Sequence, residues 1–161
     1  MITRTGNKTS RTVCMENSVQ HYFMKEYGLE LESEVFVGSG RRADLACGYT
    51  KDSDKSIWED VVIVEIKQAI ADFYTGYGQN FIGISNYLAV PPELVGFAIE
   101  YLRNEGKSYV GVLEVSDNGL IREVIYPSYF TDSPFATYKN KMDRVIKYMI
   151  GPDHRRANAK A

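Results

Sequence analysis

The sequence predicts an α/β fold: a mixed β-sheet flanked by helices, built as one domain over residues 1–161. Three observations carry that expectation. Val61-Val-Ile-Val64, continued by Ile66, is an almost unbroken β-branched run, the pattern of a strand buried on both faces. Two shorter strand-like segments precede it, and strand-like and helix-like segments alternate after it. The 161 residues, 44% hydrophobic and 25% charged, can bury a sizeable core.

The elements follow in order. Residues 1–9 show no periodicity and are expected to be flexible. Thr9 or Ser10 can cap a helix that runs to Tyr27 and stops at Gly28. Its apolar stripe is Met15, Val19, Tyr22, Phe23 and Tyr27. Glu16 lies about 100° round from Met15 and so flanks the stripe. Residues 29–37 set Leu29, Leu31, Val35 and Val37 against Glu30, Glu32 and Glu34, a half-buried strand whose alternation breaks at Ser33. Gly38-Ser-Gly40 makes a turn into a second strand over 42–49. The polar residues 51–56 form a hairpin loop to the long third strand over 57–67.

Residues 68–74 read as a short helical turn, broken by Gly76 and Gly78, and 79–85 as a second short helix. A short buried strand spans 86–90. Pro91-Pro92 opens a helix with Leu94, Phe97, Ala98, Tyr101 and Leu102 on one face and Gly106 as its stop. Strands over 109–115 and 120–126 are joined by Asp117-Asn-Gly119, a strong hairpin signal. Ser133-Pro134 caps a last helix whose buried face is Phe135, Tyr138, Met142, Val145, Ile146 and Met149, ended by Gly151-Pro152. The basic tail 153–161 is expected to be flexible.

Composition narrows the function classes modestly. A net charge of −2 does not advertise a nucleic-acid partner, although a local basic patch matters more than the average. Cys14 and Cys47 have no metal-ligand or redox spacing and read as reduced thiols. No apolar run approaches the ~18–20 residues that cross a bilayer, and residues 1–12 lack a signal core. A cytoplasmic protein with no membrane partner is expected.

The chemistry concentrates at the end of the third strand. Glu65 and Lys67 are two residues apart, so a strand projects both from one face. Charges there are costly unless paired or bound to something. Asp44 lies on the preceding strand. Two carboxylates on adjacent strands suit Mg²⁺ or Mn²⁺, with the carbonyl of Ile66 as a third protein ligand and Lys67 beside the metal-bound water. Glu16 can add a carboxylate through water if the first helix packs near Asp44. Arg41 and Arg42 bracket the site and suit phosphate recognition. Tyr74 and Tyr77 can stack on a base.

Arg41-Arg-Ala-Asp44 followed by Glu65-Ile-Lys67 after Val61-Val-Ile-Val64 resembles the PD-(D/E)XK nuclease superfamily. The stretch Glu65-Ile-Lys-Gln-Ala-Ile-Ala-Asp-Phe73, then Asn86-Tyr-Leu-Ala-Val-Pro-Pro-Glu-Leu-Val95, resembles its MmcB-like branch, associated with DNA repair. Ala43 stands where the superfamily name has Pro, a position that supplies no ligand. The resemblance implies a restriction-endonuclease-like αβββαβ core. It also implies Mg²⁺- or Mn²⁺-dependent hydrolysis of DNA phosphodiesters, with Asp44, Glu65 and Lys67 catalytic and Gln79 facing the phosphate. DNA is the implied partner, and a homodimer is compatible with it. A second reading stays open: a catalytically silent chain of the same fold that binds nucleic acid or a protein. A third is a small α/β interaction protein with no nucleic-acid role.

Overall fold

The structure is a computed structural model that describes residues 9–38, 41–50, 58–75 and 81–136. Its first element is helix α1 (Ser10–Tyr27). Thr9 caps it by accepting the Thr12 N–H on Oγ1 at 3.1 Å. Gly28 ends it at φ 67°, the left-handed conformation a side chain resists, and its N–H returns to Met24 O. Thr9 Oγ1 also donates to Gln68 Oε1 at 2.8 Å, tying the helix start to the chain just after the third strand.

Strands β1 (Glu32–Gly38), β2 (Arg41–Thr50) and β3 (Trp58–Ile66) form the expected antiparallel meander. Strands β4 (Ser85–Val90), β5 (Gly111–Val115) and β6 (Ile121–Ile125) extend it to a six-stranded sheet in order β1-β2-β3-β4-β5-β6. The sheet is mixed: β3, β4 and β5 run parallel, while β5 and β6 close an antiparallel hairpin at the Asn118-Gly119 turn. Helix α2 (Val95–Asn104) is the crossover between β4 and β5.

Alternation along the strands assigns the two faces. Leu45, Val62, Val64, Ile66, Tyr87, Ala89, Leu113 and Val115 cluster with Met15, Val19, Phe23 and Tyr27 of α1. Leu88, Val90 and Val112 project the other way and pack with Leu94, Ala98 and Leu102 of the α2 region and with Phe73. Val61, Ile63 and Ala46 form a third group on that second side. The sheet is thus flanked by helices on both faces, as the pattern predicts.

Several expectations need correction. Residues 81–84 are not helical, and Ser85 already belongs to β4. The Asn86 side chain holds Gly83 from both sides, accepting its N–H at 2.8 Å and donating to its carbonyl at 2.9 Å. Ile84 N–H bonds Val61 O at 2.8 Å, so the segment lies against β3. A Cβ on Gly83 would come within 2.9 Å of that same carbonyl. The turn after β3 is a 3₁₀ helix, Ile70–Tyr74, started by Asp72 Oδ2, which accepts the Gln68 and Ala69 N–H groups at 3.1 Å each. The diproline segment opens as 3₁₀, Pro92–Leu94, before α2 begins. The first strand starts at Glu32 rather than Leu29.

The loop over 51–56, Gln79, Tyr77 and most of the last helix lie outside the described residues. At the start of that segment Ser133 Oγ accepts the Phe135 N–H at 3.2 Å, the contact a helix cap makes, and donates to Ile82 O at 2.6 Å. Cys14 and Cys47 are free thiols. Among the described residues no helix is long and apolar enough to cross a membrane.

Candidate active site

The parallel pairing of β3 with β4 buries the end of β3 in the middle of the sheet. Glu65 pairs with Leu88, and the Lys67 N–H bonds Ala89 O at 3.0 Å. Since Val62, Val64 and Ile66 face α1, Glu65 projects to the opposite side. Its relative exposure is 0%, and Lys67 is at 5%. Neither Glu65 oxygen has a hydrogen-bond donor among the described residues. A fully buried carboxylate in that condition is costly, and native proteins seldom keep one without a use.

Asp44 is its neighbour. Leu45 pairs with Val64 in the antiparallel ladder, so the same register sets Asp44 opposite Glu65. Asp44 Oδ2 accepts the Ile66 N–H at 2.8 Å. This bond holds the Asp44 side chain against the backbone between Glu65 and Lys67.

The electrostatics follow from that crowding. Burial pushes the Glu65 carboxyl well above its ordinary value, and the Asp44 charge pushes it further; the Lys67 ammonium pulls it back. Asp44 is raised too, chiefly by burial, while the Ile66 N–H and Lys67 lower it. Two carboxylates can bond each other only through a shared proton, so without a cation the pair favours holding one.

One residue that the sequence reading missed belongs here. Glu34 lies across from Asp44 on β1, since Ser33 pairs with Leu45 and Val35 with Ala43. Its charge raises the Asp44 carboxyl. Its backbone sits at φ 57°, a left-handed conformation in mid-strand that a Glu adopts at a cost. The break in alternation at Ser33 was the visible signal.

The remaining candidates are placed as follows. Glu16 is buried at 7% on α1, beside Met15. Among the described residues no group of three or more His, Cys, Asp or Glu is placed to hold a metal ion directly. Arg42 is half-buried, with its guanidinium over the Phe36 ring at 5.1 Å from the centroid. Arg41 opens β2, and its side chain lies outside the described residues, as does all of Gln79. Tyr74 is exposed at the end of the 3₁₀ helix, 6.4 Å from the Phe97 ring.

The arrangement suits a hard cation. Two carboxylates converge, the more buried one has no donor, and a strand-end backbone segment runs between them.

No family model matches this chain, and no curated protein matches it either. Among solved structures, a protein of unknown function from Silicibacter pomeroyi is similar at 14% identity and a TM-score of 0.57, over 89% of this chain and 86% of that one. That likeness concerns the fold alone.

Proposed function

We propose that this chain is a Mg²⁺- or Mn²⁺-dependent phosphodiesterase of restriction-endonuclease-like fold that hydrolyses DNA. On this reading it is a cytoplasmic protein of DNA repair, recombination or the processing of phage and mobile-element DNA. The observation that carries the reading is Glu65: fully buried, without a donor, and set against Asp44. Fold stability alone gives no reason to place two carboxyls there.

In this proposal Asp44 and Glu65 hold the ion with the Ile66 carbonyl. Within a strand a residue's N–H and C=O project to the same neighbour. The Ile66 N–H is bound to Asp44, which favours a carbonyl on that same side. The ion, when bound, supplies Lewis-acid activation of water and neutralises charge on the phosphate. Lys67 acts on Asp44 and Glu65 electrostatically, and its ammonium is the group to orient the attacking water. Arg42 is the described cation nearest to them along β2, suited to a phosphate oxygen.

A second reading, a catalytically silent chain of this fold that binds nucleic acid or protein, is favoured by the complete burial of Glu65, which shields it from substrate. One experiment separates them. The protein is incubated with single-stranded, duplex, flap and branched DNA in Mg²⁺ and Mn²⁺, with Lys67→Ala as control. Cleavage that needs the metal and Lys67 supports the nuclease. No cleavage of any substrate supports the silent chain.

A further inference from the structure

We infer that Tyr74, backed by Phe97, forms a stacking step for an unpaired base on the face of the sheet that carries Glu65, which makes the substrate single-stranded, flapped or splayed DNA rather than continuous duplex. The inference rests on the nuclease reading and deepens it by naming the substrate class.

Glu65 pairs with Leu88 in the parallel β3–β4 ladder, so the two side chains project to the same side of the sheet. Phe73, in the 3₁₀ turn that follows β3, is buried in one cluster with Leu88 and Val90. The turn therefore folds back over the side that holds Glu65. The Phe73 ring meets those of Phe97 and Tyr101 on α2, each at 5.0 Å between centroids. Tyr101 Oη donates to Phe73 O at 3.4 Å, which ties the turn to the helix. Tyr74 comes next and is 70% exposed, its ring edge-to-face with Phe97 at 6.4 Å. Phe97 and Tyr101 lie one helical turn apart and are half-buried. An open aromatic strip thus rises from a buried anchor. The 3₁₀ turn follows the carboxyl end of β3 and α2 follows that of β4, and open α/β sheets bind their ligands outside the carboxyl ends of parallel strands.

Phe73 already supplies the contact that anchors the turn, so the fold leaves Tyr74 without a core role. An isolated exposed ring needs no explanation, but one that continues a strip of rings on the face of a candidate phosphate-cleaving site does. The edge-to-face contact with Phe97 leaves at least one face of the Tyr74 ring uncovered by it. Within a duplex both faces of each base are covered by its neighbours, so a base must leave the stack to reach Tyr74. Single strands present free π-faces, and aromatic side chains take them with little regard to sequence. Asp72 and Glu100 adjoin the strip, so its grip on a strand is stacking rather than charge. That sets it apart from an ordinary phosphate contact, whose contribution falls with salt.

The test measures binding and cleavage on the full chain. Fluorescence anisotropy of a labelled oligothymidylate and of a blunt duplex is recorded in Ca²⁺, for wild type, Tyr74→Ala, Tyr74→Trp and Leu120→Ala. Leu120 is a control of similar exposure at 67%, next to the edge strand β6. Tyr74→Ala should weaken oligothymidylate binding roughly tenfold, change duplex binding little and leave the salt dependence as it is in wild type. Tyr74→Trp should keep the affinity, and its added emission, read against Trp58 alone in wild type, should be quenched by the oligonucleotide. Tyr74→Ala indistinguishable from Leu120→Ala, unquenched emission in a bound Tyr74→Trp complex, or no single-strand binding by wild type would each overturn the inference. Self-association in sedimentation that Tyr74→Ala abolishes, without any DNA binding, would assign the strip to a second copy of the chain instead. Cleavage in Mg²⁺ separates the two proposals. Wild type that cleaves, with Tyr74→Ala matching it in binding and rate, removes the stacking step and leaves the nuclease. Binding through Tyr74 without any cleavage does the reverse.

Discussion

Asp44 Oδ2 accepts the backbone N–H of Ile66 at 2.8 Å, so a side chain of β2 grips the main chain of β3 between Glu65 and Lys67. That bond fixes one carboxylate oxygen of a side chain that also interacts with Glu65. It uses a donor that a regular ladder would have spent on a backbone carbonyl. The result is a rigid pair of acids on a sheet rather than on a loop, the footing a metal site needs.

Glu65→Gln should separate stability from function. It removes a buried charge and supplies donors of its own. The metal-free protein should gain about 1–3 kcal/mol at neutral pH. Mn²⁺ affinity and cleavage should both disappear. Thermal melting and calorimetric metal titration check it. A destabilised variant would mean Glu65 holds the fold through contacts of its own.

Lys67→Ala should lose cleavage roughly 10²–10⁴-fold and keep metal binding. Unlike a surface lysine, Lys67 is 5% exposed and its charge lowers both acids. Its removal should therefore cost stability in the metal-free protein and raise both carboxyls further. Single-turnover cleavage with a metal titration on the same sample tests it, and loss of metal affinity would show that Lys67 builds the site rather than acts in it.

The pair predicts the pH dependence of stability. Both acids titrate higher in the folded chain than in the unfolded one. Above the ordinary carboxylate range, near pH 4, the unfolded chain has released protons that the folded chain still holds. Stability from this pair is therefore full below that range and falls as pH rises through the folded values. Denaturant melts from mild acid to neutral should show the decline, and Glu65→Gln should flatten it. Saturating Mn²⁺ at a hundred times its Kd should return about 2.7 kcal/mol at neutral pH.

Glu34→Gln tests the residue across β1. Its charge raises Asp44, so neutralising it should lower the Asp44 carboxyl and shift the pH profile of metal binding toward acid. Glu34→Gly should relieve the φ 57° conformation, worth about 1 kcal/mol. NMR titration of the Asp44 carboxyl reports the first, and chemical denaturation the second. An unmoved Asp44 would remove Glu34 from the site.

Much of this was written along the chain. Thr9, the stripe from Met15 to Tyr27, and Gly28 determine α1, because caps and periodicity are local. The apolar run of β3 and the two-residue period put Glu65 on the side away from Val62, Val64 and Ile66. What only the tertiary structure decided depends on contacts between distant segments. The hold of Asn86 on Gly83 turned an expected helix into a segment laid on β3. The β1–β2 register brought Glu34 to Asp44 and Phe36 under Arg42. Local propensity acts within a few residues, whereas register and burial are settled by the whole sheet at once, and the surroundings of Asp44 and Glu65 are a product of that second step.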